Sequence, residues 1–169
     1  VGRAGGLPRP LFTFLNRELA VPRRCIALLT FGLLMSRTAS AQVRQVAELT
    51  TRQILALDRA RTVVILQGGM LEEHGPYLPA FTDGLLSARL SAELAAGIVR
   101  ERPGWTVLVF PPVSVGASGS NEIGGRYSFP GTYAVRPSTL RAAFADLASE
   151  LGEQGFRHVL LVHVHGSPL

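Results

Sequence analysis

Two short stretches of this 169-residue chain gather side chains able to bind a metal ion. Glu72, Glu73 and His74 sit together, and Asp83 follows Glu72 by eleven residues. His163 and His165 stand near the other end. Carboxylates and imidazoles together form a donor set suited to Zn²⁺ or Mn²⁺. Each residue taken alone also has a plainer use. Asp83 opens a predicted helix, where a carboxylate caps exposed N–H groups. Glu72 and Glu73 fit a solvated loop, and His74 fits a hydrogen-bonded loop histidine. His163 and His165 fit a strand end facing water, and His158 the surface at a strand start.

The elements around these residues decide whether they meet. Thr50-x-x-Gln53 is a capping-box pattern and opens a short predicted helix, Thr51 to about Arg59. Thr62–Leu66 is continuous, apolar and β-branched, as in a strand buried on both faces. Residues 70–81 form a loop. Asp83–Arg100 reads as a helix with Leu86, Leu90, Leu94 and Ile98 on one inward face. Trp105–Phe110 reads as a second buried strand, with Trp105 in the core. Residues 111–131 read as a long loop, and Thr132–Val135 as a short strand. Pro137 opens a helix to Glu153 with Leu140, Phe144, Leu147 and Leu151 inward. Arg157–Val164 is a third apolar strand. This alternation predicts an α/β fold: three layers, α/β/α, around a mostly parallel sheet that is incomplete at the C-terminus. In such sheets ligands bind beyond the carboxyl ends of the strands. Both metal-type stretches fall there.

Charge separates two regions. All 17 basic residues are arginine, and the net charge is +5. Residues 1–41 hold six arginines against Glu18, while residues 42–169 balance 11 arginines with 11 acids. A nucleic-acid binder carries its charge on the folded body, so this pattern argues against a nucleic-acid partner. Arg23-Arg24, the apolar run Cys25–Met35 and Ala39-Ser40-Ala41 form a secretory signal pattern. The run is too short for a membrane-spanning helix. The expectation is an N-terminal extension with signal peptide over 1–41, cleavage after Ala41, no stable membrane anchor and a periplasmic or secreted product. The lone cysteine, Cys25, lies inside the signal, so the mature chain forms no disulfide.

Glu72-x-His74-Gly75-Pro76-x-Leu78-Pro79 with Asp83 resembles the metal-binding signature of the creatininase (creatinine amidohydrolase) family. Phe129-Pro130-Gly131-Thr132 before Arg136-Pro137 is similar to the family's F-P-G-T segment. Gly155-Phe156-Arg157 and the strand ending in His165-Gly166 resemble its G-F-R and N-G-H-G-G-N segments. The likeness runs from about Val46 to the end, a creatininase-like domain over 42–169, truncated at its C-terminus. It implies a two-metal hydrolase of C–N bonds in cyclic or linear amides, on a fold that forms homo-oligomers. Glu72, Asp83 and His165 would hold one divalent ion, and His74 with Asp83 the second. A water activated by the two ions would attack a small amide substrate, and no further catalytic residue is assigned. The chain departs from the family where His163-Val164 replaces Asn-Gly and Ser167-Pro168 replaces Gly-Asn. In creatininase a glutamate at the position of Ser167 completes the second metal. His163 or Glu122 is the candidate substitute. The same residues admit two other readings, a non-catalytic metal- or ligand-binding protein and an inactive fragment.

Overall fold

The computed structural model describes residues 42–118 and 129–165. The predicted signal, Glu122 and Ser167 lie outside the described residues. Thr62–Gln67 forms strand β2, and every residue of it is buried. Such a strand needs cover on both faces and partners on both edges, and it has them. The sheet is parallel and four-stranded, in the order β1-β3-β2-β4. Here β1 is Gln42–Gln45, β3 is Thr106–Val109 and β4 is His158–Val162.

Three helices accompany these strands: α1, Thr51–Leu55; α2, Thr82–Glu101; and α3, Pro137–Glu153. The Thr50 capping box forms as its sequence requires. Side chains alternate across the sheet. Val64, Leu66 and Leu108 pack with Leu140, Phe144, Leu151 and Phe156 on the α3 side. Ile65, Val107, Val109 and Val162 pack with Ala95 and Ile98 of α2 on the other. The predicted three-layer α/β order is therefore present. Arg59 ties the carboxyl end of α1 to that of α3. Its guanidinium donates to the carbonyls of Ile54, Leu57 and Gln154 and lies over the Phe156 ring.

Three expectations change. Gln42–Gln45 is a strand that patterning missed, because an exposed edge strand needs few apolar residues. Thr132–Val135 joins no strand; Tyr133 N–H and Val135 N–H bond singly to the Leu71 and Gly116 carbonyls. The leucine row of α2 does not face the sheet. Leu86, Leu90 and Leu94 are 51%, 45% and 37% exposed, and the buried row is Asp83, Ser87, Ser91 and Ala95 with Gly84. Small side chains let this helix lie close on the strand ends, which leucines would prevent. Among the described residues no helix is long and apolar enough to cross a membrane.

Candidate metal centre

At the carboxyl end of β2 the backbone comes very close to α2. A Cβ on Gly69 would lie 2.4 Å from the Gly84 Cα, and one on Gly84 would strike the Phe81 ring. This glycine contact seats the first turn of α2 against the strand end and carries Asp83 inward. The intervening loop closes on itself, with Glu72 N–H donating to the Ala80 carbonyl at 2.8 Å. Gly75 takes a positive φ of 72°, available to glycine without strain. The Phe129–Tyr133 segment straps the loop from outside. Thr132 Oγ1 accepts from Glu73 N–H at 3.0 Å, and Tyr133 N–H donates to the Leu71 carbonyl at 2.9 Å.

Asp83 is buried and caps nothing: the residue before the helix is Phe81, with no side-chain cap. Its two oxygens each face an imidazole. Oδ1 is 3.2 Å from His74 Nε2 and Oδ2 is 2.8 Å from His165 Nδ1. Glu72 Oε2 approaches the same His165 nitrogen at 3.3 Å, and Glu72 Oε1 accepts from Ser118 Oγ at 2.9 Å. His74 Nδ1 donates to the Glu72 carbonyl at 2.8 Å. A carbonyl only accepts, so Nδ1 carries the proton and Nε2 is the nitrogen turned toward Asp83. That carbonyl bond, with Asp83 and Glu72 nearby, raises the His74 pKa above its ordinary 6.5 despite partial burial.

One donor atom each from Glu72, Asp83 and His165 lies within 4.8 Å of the others. Among the described residues only histidine rings lie within ion-pair distance of these two carboxylates. His165 Nε2 is buried without a hydrogen-bond partner. Paired carboxylates with no arginine, both converging on His165 Nδ1, fit a divalent cation by donor type and by charge.

The family model for creatinine amidohydrolase matches residues 47–168. The chain belongs to the creatininase family. The curated relative creatinine amidohydrolase of Pseudomonas putida is 32% identical over 121 residues, covering 71% of this chain and 44% of its own. A mycofactocin precursor peptide peptidase of Mycolicibacterium smegmatis is 32% identical over 108 residues, 62% of this chain and 39% of its own. A solved creatininase variant complexed with creatine superposes with a TM-score of 0.60 at 30% identity, over 72% of this chain and 44% of that one. Creatininase has also been solved in a manganese form, with a TM-score of 0.58 at 30% identity over 72% of this chain and 45% of that one. The chain thus spans less than half the length of the curated relatives it matches.

Within this creatininase-family domain, the structure brings Glu72, His74, Asp83 and His165 together. Glu73 turns away, its carboxylate accepting from Gly75 N–H at 3.0 Å. His163 also stays out of the cluster. It packs over Gly68, with Nε2 3.4 Å from the Val115 carbonyl and its ring edge-on to Phe144. β4 ends at Val162, so the alternation that would point His163 and His165 to one face no longer applies. His158 stacks on the half-buried Trp105 at the opposite end of β4. Patterning missed Ser118, Thr132 and Ser87. Thr132 was visible within the F-P-G-T segment, and Ser87 lies one turn beyond Asp83. Ser118 had only its place after β3 to mark it.

Proposed function

We propose that this chain is part of an exported, metal-dependent hydrolase of C–N bonds in small cyclic or linear amides. The observation that carries the reading is Asp83, whose two oxygens face two different imidazoles beside a second carboxylate. Glu72, Asp83 and His165 would hold one divalent ion, and His74 with Asp83 the other, Asp83 being shared. Zinc or manganese at such a centre supplies a water acidic enough to attack near neutral pH and polarises the amide carbonyl.

The chain's own groups prepare that site. The Glu72 carbonyl fixes the His74 tautomer and leaves Nε2 as the inward nitrogen. Ser118 holds one oxygen of Glu72 and leaves the other toward His165. The Thr132 strap holds the peptide between Glu72 and His74. Homologues named creatinine amidohydrolase and mycofactocin precursor peptide peptidase both act on a C–N bond, which supports this reaction class.

The test is an amide-substrate screen of the full-length exported protein after chelation, with Zn²⁺ or Mn²⁺ restored. Turnover should appear only with metal, and Asp83→Ala should abolish it. Metal-independent turnover, or an active Asp83→Ala protein, rejects the reading. Two bound ions per chain support the shared role of Asp83; none supports a fragment without the site. N-terminal sequencing of the exported protein should begin at Gln42. We also propose homo-oligomer assembly, which light scattering measures directly.

A further inference from the structure

We propose that Ser87 is a positioning residue that sets the separation between Asp83 and His165. The proposal rests on the metal-centre reading. The ladder between β2 and β4 ends with Gln67 opposite Val162 and a last bond from Gly68 N–H to the Val162 carbonyl at 2.8 Å. Beyond it β2 turns away at Gly69 into the ligand loop. Ser87 Oγ takes up the Val164 N–H at 2.9 Å in place of a strand partner.

The placement is specific. Ser87 is fully buried and lies one helical turn after Asp83 on the same row of α2. Two successive residues of the incoming strand end are therefore held by two successive turns of one helix. Val164 is held by its peptide N–H and His165 by its ring. The first bond fixes where the His165 backbone lies, and the second fixes where its ring points. Ser91, the next residue of the row, is equally buried, yet its hydroxyl has no partner. The row itself thus demands small size, and the hydrogen bond distinguishes Ser87 within it.

Ser91 supplies the control. Ser87→Ala and Ser91→Ala delete the same atom from the same face, and only the first deletes a bond to the ligand-bearing segment. The full chain is stripped of metal and titrated with Co²⁺, whose d–d absorption reports ligand geometry. Wild type and Ser91→Ala should share one spectrum and one affinity. Ser87→Ala should bind Co²⁺ about tenfold or more weakly, as losses around metal ligands do, and with an altered spectrum. A purely structural role would lower thermal stability without moving the spectrum. Ser87→Ala indistinguishable from Ser91→Ala in spectrum and affinity overturns the proposal. If Ser87→Ala does not fold, Ser87→Cys, similar in size with a poor acceptor, takes its place against the same control. A folded wild type that takes up no Co²⁺ rejects the metal-centre reading itself, and the positioning role with it.

Discussion

Helices α2 and α3 carry the same surface signature and use it in opposite ways. Each repeats a large apolar residue about every fourth position. In α3 that row, Leu140, Phe144 and Leu151, is buried against the sheet. In α2 the leucines lie half out, and glycine, serine and alanine make the contact. The difference follows from what each helix delivers. α3 contributes none of the clustered ligands and covers a face of the sheet, which large side chains do best. α2 must bring a carboxylate from its first turn within hydrogen-bond range of His74 in the loop after β2 and of His165 beyond β4. That requires close backbone approach, which only small residues allow. In α2 the periodic leucine row therefore does not mark the buried face.

Four perturbations probe this contrast. The largest effect belongs to the packing helix. Leu151→Ala should cost about 2–5 kcal/mol by chemical denaturation, the range for deleting a buried leucine side chain. It should leave Co²⁺ affinity per folded molecule unchanged; a large loss of affinity would show that α3 also positions ligands. Next comes close approach. Gly69→Ala sets a Cβ 2.4 Å from the Gly84 Cα, so one backbone must move. It should cost about 1–3 kcal/mol, as overpacking does, and unlike Leu151→Ala it should also weaken metal binding.

A smaller effect is set by pH at the loop that faces the start of α2. The His74 pKa is raised in the folded state, so its stabilising contribution is full below the unfolded value near 6.5. It is lost as pH rises through the higher folded value. Melting temperatures of metal-free protein between pH 5.5 and 8.5 should fall across that window, and His74→Asn should flatten the slope. The smallest effect is expected at Leu90. It is 45% exposed, and its replacement by Ser should change stability by under about 0.5 kcal/mol. A loss of several kcal/mol would mean that the leucine row is covered in solution.

Much of this was legible in residue order. β2 and α3 follow from an unbroken β-branched run and from Pro137 with its apolar row. The meeting of Glu72, His74, Asp83 and His165 follows from one rule about strand ends and from the family motif. What stayed hidden was set by partners distant in sequence. Gln42–Gln45 is a strand only because β3 offers it an edge. The buried face of α2 depends on Gly69, outside the helix. The His74 tautomer is set by a main-chain carbonyl, a group every residue has and no side-chain pattern announces. His163 and His165 part company because β4 ends one residue before His163.

The order of assembly is written into the centre of the sheet. β2 leaves the chain early, yet both its neighbours, β3 and β4, come after it. Until His158–Val162 docks, one edge of a wholly buried, mostly apolar strand stays open, which invites association with other chains. The same docking brings His165 to Asp83 across 82 residues of sequence. No intermediate lacking β4 can offer the three donors together. An ion held by Glu72, Asp83 and His165 would therefore bind only once β4 has docked and draw the folding equilibrium forward by mass action. Metal supply would then govern how much of the chain is folded as well as how much is active.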